Sequence, residues 1–516
     1  METTDNVERR SNKQIAFGSI LSYILIVISV LLGLFFTPWL SRYLGKNDYG
    51  LYTLAVSLIG VFSLDYGLSA GASKFIAECR AKYDKEAETL YLSIILRMYF
   101  VIDAFLAAVL IVVYFFLSSI FPGLSLEQIG AFKPLFLVVA VYSLVSVPLL
   151  FVNSIFDAYE EFVSLKLFSL INKFVSLGVM SLLIFYQQDV FLLVLSSLVV
   201  NIVFDIVKFF YIKRKCSTKI DLKLRDRVIV KRVLSLVIWI SLAVLGQELT
   251  QNLMPSVLGA VSDAANIAVY GYALTIYQYA SSLSNVVAGM FLSKITRIAK
   301  DDPFSFNLYP LFLKVGKYQM SLLGLIILGF GFFGQFFIRK LMGIGYADSY
   351  LCCLFLMLPL LIQIPKIPMY SHSYYVETVK YSTVIILSFS IVGCGLAFLF
   401  GKMFGALGVA ASIGVTMTIA YICIDIFVFW KKQKIAIWRF FRECYLRYFL
   451  ISIPACAMGL ILYFLWPIAS WWQFTIEVLI FIILYGLIIL FVYYSQEEKR
   501  SLFSKLSSFF GKTKKN

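Results

Sequence analysis

Apolar runs of about 20 residues follow one another along almost the whole 516-residue chain, separated by short charged connections, and this succession constrains the fold more than any motif does. Only 14% of the residues are charged while 61% are apolar, and the mean hydropathy is +0.87. No water-soluble fold has an interior large enough to hide that much apolar surface. In a bilayer the same runs are stable as helices, because each helix satisfies its own backbone hydrogen bonds where no water is available. The runs fall near 15–40, 51–73, 91–117, 133–153, 167–186, 190–212, 233–257, 272–292, 318–338, 350–370, 381–400, 405–430, 448–467 and 472–494. They predict an all-α integral membrane protein with about 14 transmembrane helices. The first run is too long for the core of a signal peptide and is read as a retained span.

With about 37 residues available per span, no sizeable extramembrane domain fits, so any chemistry or transport takes place among the helices. The single histidine, His372, and the lack of a Cys-x-x-Cys pair leave little material for a metal site, and none is expected, nor any cofactor. The eight cysteines show no spacing that suits a disulfide framework. A net charge of +16 is explained by topology rather than by nucleic acid. With the N-terminus placed in the cytoplasm, about 37 of the 45 Lys and Arg lie on the inner side and about six on the outer side. Inner-leaflet lipid is then the partner of these charges, and both termini are expected in the cytoplasm. The residues from Ser495 to Asn516 alternate apolar and basic side chains, which suits an amphipathic tail on the inner leaflet.

Tyr49-Gly50-Leu51-Tyr52-Thr53-Leu54 is echoed about 220 residues later by Tyr270-Gly271-Tyr272-Ala273-Leu274-Thr275, each after a proline, Pro38 or Pro255. Such parallel repeats build the two halves of many secondary transporters. Three stretches then resemble the polysaccharide-transport flippases, the Wzx-type branch of the superfamily that also holds the MurJ lipid II flippases and the MATE exporters. They are Ser41-Arg42-Tyr43-Leu44-Gly45 with Asp48-Tyr49-Gly50-Leu51-Tyr52, Asp65-Tyr66-Gly67-Leu68 with Lys74-Phe75-Ile76-Ala77-Glu78, and Gly405-Ala406-Leu407-Gly408-Val409-Ala410. The resemblance implies two pseudo-symmetric six-helix bundles plus two C-terminal helices. On this reading the domains are 1–212, a basic cytoplasmic linker at 213–232, a second bundle at 233–430, helices 13 and 14 at 431–494, and the tail at 495–516. It also implies an undecaprenyl-pyrophosphate-linked oligosaccharide as the substrate, turned from the inner to the outer leaflet of a bacterial cytoplasmic membrane, with a polysaccharide polymerase as a partner downstream. The Arg-rich start typical of MurJ-like chains is not evident, which sets lipid II apart as the expected substrate.

Charges inside spans are the informative positions, since each costs about 2.5–3.5 kcal/mol on insertion scales and normally faces a cavity or a partner. Arg97 and Lys173 fall inside spans, with Lys166 seven residues before Lys173 on nearly the same helix face. These cations are the candidates for holding a pyrophosphate; the alternative is that Arg97 pairs with Asp103 or Asp65 and Lys166 only reaches the interface. Lys74, Lys294 and Arg297 mark the inner ends of spans 2 and 8, as a basic mouth or as ordinary topology anchors. In span 7, Gln247, Glu248, Gln251 and Asn252 precede Pro255, so a bent helix is expected there. Glu248 is the candidate coupling carboxylate for H⁺ or Na⁺, with interhelical hydrogen bonding as the alternative. Pro38 and Pro255 are the candidate hinges. Asp205 and Asp425 are each followed by a lysine within about eight residues, which predicts local pairing.

Two rival functions remain. A MATE-like exporter driven by a cation calls for acids to dominate the cavity, against the cations at 97 and 173. A polytopic polymerase or ligase needs a large polar outer loop, and no outer connection exceeds about 15 residues. The chain is therefore expected not to be an enzyme.

Overall fold

The computed structural model describes residues 4–63, 65, 67–215, 221, 226–301, 308–373, 375–465, 468, 470–494, 496, 498 and 499; side chains of 4–20, 70, 236, 286–294, 296, 297, 299–301 and 462–465 lie outside this description. The described residues form helices and no strands. In chain order they are α1 (Thr4–Leu44), α2 (Lys46–Phe62), α3 (Leu68–Ala81), α4 (Lys85–Phe115), α5 (Leu117–Ile120), α6 (Leu126–Ala158), α7 (Phe162–Phe185), α8 (Val190–Lys215) and α9 (Arg227–Gln251). There follow α10 (Met254–Val261), α11 (Ala264–Asp301), α12 (Leu308–Met342), α13 (Ser349–Gln363), α14 (Ile367–Ser373), α15 (Val379–Ile424), α16 (Ile437–Phe440), α17 (Arg447–Leu465) and α18 (Trp471–Ile488).

The helix starts follow from local chemistry. Asp84 accepts from the Ala87 N–H to open α4, and Asp226 accepts from Val228 and Ile229 to open α9. Ser125 with Gln128, and Ser470 with Gln473, form reciprocal capping boxes at α6 and α18. Among the described residues, ten helices are long and apolar enough to cross a membrane, eleven if the bent pair Arg227–Ser235 and Val237–Gln251 is one span. The fourteen expected runs are grouped differently by these helices. The 52-residue stretch Val379–Trp430 contains two of the expected spans, parted at Gly405, whose φ of +57° is a conformation that a side chain disfavours. Asn266 accepts from the Ala406 N–H at this corner, and a Cβ on Gly405 would lie 2.6 Å from the Asn266 Oδ1. The expected span at 51–73 is broken between α2 and α3, and neither it nor the expected span at 272–292 is among the ten.

The chain divides into two compact units. Unit 1 comprises Met1–Tyr279, Leu351–Leu356 and Lys380–Ala420; unit 2 comprises Ala280–Tyr350, Met357–Val379 and Tyr421–Asn516. In unit 1, α6 is the central helix, packed against α2, α3, α4 and α8, while α7 lies between α1 and α8. Phe132, Phe136, Phe151 and Phe156 of α6 are buried there. The two copies of the Tyr-Gly repeat meet in this unit. A Cβ on Gly50 would lie 2.0 Å from the Ala264 carbonyl oxygen, and one on Gly271 would lie 2.2 Å from the Thr53 side chain. Only glycine admits so close an approach, and Tyr49 and Tyr270 beside these glycines are buried.

In unit 2, α12 packs against α17 and α18 through an aromatic ladder. Phe474 of α18 stacks on Phe336 and Phe337, Phe481 meets Phe332 and Phe333, and the Tyr485 hydroxyl donates to the Ser321 carbonyl oxygen. Large apolar side chains such as Phe35, Phe105, Phe115 and Phe185 are exposed, as expected of a surface whose solvent is hydrocarbon.

Candidate functional site

In unit 1 the break after Phe62 places Asp65 just before α3. Its carboxylate accepts from the Ser69 N–H and from the Ser69 hydroxyl at 2.7 Å, capping α3. The Tyr99 hydroxyl of α4 donates to the same Oδ1 at 2.5 Å. Asp65 is half-buried, and its negative charge is met by two hydroxyls and a backbone amide. Sequence reading finds Asp65 but not Tyr99, because a tyrosine in an apolar span looks like any interfacial aromatic.

The predicted cations lie on two helices of this unit. Arg97, on α4, is half-buried. Asp65 is bonded elsewhere, and the Asp103 Oδ1 is buried without a hydrogen-bond partner among the described residues. Lys173, on α7, is exposed and makes no hydrogen bond or ion pair among the described residues. Next to it, Asn172 donates to the Asn201 Oδ1 at 2.8 Å, joining α7 to α8. Lys166 is half-buried and close enough to Asp157 to attract it. Lys74 is exposed on α3. The side chains of Lys294 and Arg297, on α11, lie outside the described residues, as do the linker residues 216–220 and 222–225 and the tail residues 501–516.

The polar cluster of α9 is assembled largely within its own helix. The Asn252 amide donates to the Glu248 Oε2 at 2.5 Å, Gln251 reaches the Tyr277 hydroxyl at 3.5 Å, and Gln247 is exposed. The helix ends here rather than bending at the proline: α9 stops at Gln251 and Pro255 sits in the first turn of α10, where its missing N–H costs nothing. α1 continues as a helix through Pro38, whose side chain is buried. The Ser390 hydroxyl donates to the Gly246 carbonyl oxygen at 2.9 Å, tying α15 to this stretch.

Unit 2 holds a charge cluster that sequence reading misses. Lys366 sits in a single 3₁₀ turn, Ile364–Lys366, and donates to the Asp425 carboxylate at the start of a π-helical turn, Asp425–Trp430. Asp425 was expected to pair with a lysine a few residues further on; it pairs with Lys366 instead. Both side chains are almost wholly buried, and the Lys366 ammonium lies 5.1 Å from the centre of the Tyr445 ring. Lys317 likewise meets Glu498 at 3.1 Å. His372 is buried; its Nδ1 is 3.1 Å from the Gln433 Oε1, and the Gln433 amide donates to Ser373 and Thr378. The pairing of Asp205 with Lys208, at 2.6 Å, is the local one expected. Glu477 of α18 is buried with neither carboxyl oxygen hydrogen-bonded among the described residues. No group of three or more His, Cys, Asp or Glu is placed to hold a metal among the described residues.

Comparison with known proteins places these features in context. The sequence profile of the family described as "Polysaccharide biosynthesis protein" matches residues 16–293. No protein of curated function matches the sequence. Among solved structures, the chain is similar to a lipid II flippase, MurJ, in an inward closed conformation: TM-score 0.67, 16% identity, covering 92% of this chain and 97% of that one. It is similar to an inward-facing multidrug resistance MATE family transporter of the MOP superfamily, with TM-score 0.62 and 16% identity over 82% of this chain and 99% of that one. A MOP superfamily transporter from Pyrococcus furiosus, described as having a binding pocket of reverse polarity, matches with TM-score 0.55 and 16% identity over 83% of this chain and 96% of that one. The fold is that of the MurJ and MATE transporters.

Proposed function

This chain belongs to the polysaccharide biosynthesis protein family, and on that premise we propose that it is a flippase. It turns an undecaprenyl-pyrophosphate-linked oligosaccharide from the inner to the outer leaflet of a bacterial cytoplasmic membrane, with both termini in the cytoplasm. It is a transporter and not an enzyme, and the polymer is assembled by a separate polymerase on the outer side. The observation that carries the reading is Lys173, an exposed ammonium in the middle of an apolar helix that no acid of the described chain neutralises. A bare cation at that depth is expensive, and an anionic ligand offsets the cost. Arg97 on α4 adds a planar guanidinium suited to paired phosphate oxygens.

The pyrophosphate is held by Arg97 and Lys173, the polyprenyl tail stays in lipid, and Lys74 is a cation of the basic mouth through which the headgroup enters. The break at α9–α10 beside Pro255, and Pro38 within α1, supply the bending positions as access alternates. Carrying two negative charges outward is favoured by an inside-negative potential by about 4.6 kcal/mol per 100 mV at full crossing. Glu248, held by Asn252, is the carboxylate through which H⁺ or Na⁺ couples.

A strain lacking its own flippase tests this reading, with surface polysaccharide quantified at matched protein levels. Wild type is expected to restore export, and Arg97→Ala with Lys173→Ala to lose at least about tenfold, the equivalent of one charge-assisted contact. Restoration of nothing by wild type, together with resistance to cationic drugs, would favour a MATE-like exporter.

A further inference from the structure

A pocket of about 570 Å³ opens in unit 1 where the end of α1, the start of α2, the second turn of α6 and the α7–α8 turn come together. That volume lies in the range of sites for small ligands, roughly 300–1,000 Å³. Leu44, Ala131 and Val190 supply apolar lining, and Tyr43, Asp48, Gln187, Gln188, Asp189 and Phe191 supply the rest. The wall is built rather than loose. The Tyr43 hydroxyl donates to the Gln188 carbonyl oxygen at 2.8 Å, and the Gln188 amide donates to the Tyr186 carbonyl oxygen at 2.9 Å. Gln187 turns the chain just past α7 with a φ of +53°, a left-handed residue of the kind that ends many helices. The Asp48 and Asp189 carboxylates, both exposed, make no hydrogen bond or ion pair among the described residues.

We propose that this pocket is a carbohydrate subsite, which receives the sugar part of the cargo on the outer side of the membrane; the assignment rests on the flippase reading and its orientation. Two acceptor carboxylates suit the donor hydroxyls of a pyranose, the glutamine side chains both donate and accept, and Tyr43 and Phe191 offer apolar ring faces to its C–H surface. Two carboxylates exclude the pyrophosphate end of the cargo by repulsion. A divalent cation is a poorer fit, because it wants six or more oxygens and no third acid joins the pair among the described residues. The subsite thus takes neutral or cationic sugar residues, while the phosphates stay with the cations of α4 and α7.

The test uses the full-length protein in nanodiscs and, as the probe, the oligosaccharide fraction released by mild acid from the producing strain's own lipid-linked glycans, titrated calorimetrically with and without Ca²⁺. Asp48→Asn with Asp189→Asn, and separately Ala131→Trp, which fills the pocket without touching a charge, should each weaken binding about tenfold or more. Two variants of unlike chemistry guard against a mere folding defect, and both should elute as wild type does. Equal binding by wild type and both variants, no glycan binding by wild type, or binding of Ca²⁺ alone that the Asp variants abolish, would each overturn the subsite. Complementation by wild type reads the flippase assignment separately, so a strain with restored export and unchanged variants rejects the subsite alone.

Discussion

Lys366 in unit 2 and Lys173 in unit 1 are both lysines in apolar helical surroundings, yet the chain treats them in opposite ways. Lys366 is 4% exposed, donates to Asp425 and lies against the Tyr445 ring. Lys317 in the same unit is consumed in the same manner by Glu498. Lys173 is exposed and has no acid partner among the described residues, while Asp65, one of the half-buried acids of its unit, is satisfied by the Ser69 and Tyr99 hydroxyls. A paired buried cation fixes packing and has no charge left to offer, whereas an unpaired one on an apolar helix is available to an anion. On the proposed reading, the phosphate goes to the unpaired cation of α7, while the Lys366–Asp425 and Lys317–Glu498 pairs fix packing.

The largest expected effect tests the unit 2 half of that contrast. Lys366→Met strands the Asp425 carboxylate and should cost about 3–5 kcal/mol of stability, as is typical when one partner of a buried pair is removed. Lys366→Met with Asp425→Leu should recover most of it, measured by denaturant unfolding in detergent. A double variant as unstable as the single one would mean the pair does more than fill space. Next, Tyr99→Phe removes a hydroxyl donor from a carboxylate and should cost about 1.5–3 kcal/mol by the same assay, with the Ser69 donors remaining. Ser169→Glu makes unit 1 resemble unit 2. It sets a carboxylate one turn before Lys173, in the favourable order for an (i, i+4) pair, and should cut export about tenfold with little change in protein level. Export that is insensitive to this neutralisation would break the comparison. The smallest effect is that of Glu248→Gln, which keeps an acceptor for Asn252 and should change stability by less than about 0.6 kcal/mol. If Glu248 carries the coupling, the pH dependence of export flattens in this variant.

What was legible in the sequence and what was not divides along the same line as local and long-range contact. The apolar runs and the Asp205–Lys208 pair are encoded within a few residues, so the membrane class and the transporter-like fold could be read directly. The family stretches around Tyr49 and Gly67 pointed to the family whose profile matches residues 16–293. The Tyr-Gly repeat was visible, but not that Gly50 and Gly271 would serve as the contact points of the two copies. The Lys366–Asp425 pair joins residues 59 positions apart and Tyr99–Asp65 joins residues 34 apart. No periodicity links them; each is set by which helix faces pack together. Near the inner end of an apolar run, Lys366 looks like an ordinary topology charge. Hydropathy alone likewise does not register the break between α2 and α3 that leaves Asp65 at a helix start.

Binding of undecaprenyl pyrophosphate to the full-length protein in nanodiscs tests the central claim most directly. Wild type and Lys366→Met with Asp425→Leu should bind alike, and Arg97→Ala with Lys173→Ala should bind at least about tenfold more weakly. Equal affinity in the Arg97 and Lys173 double variant, with the loss appearing in the Lys366 and Asp425 variant instead, would contradict the assignment of the phosphate to unit 1.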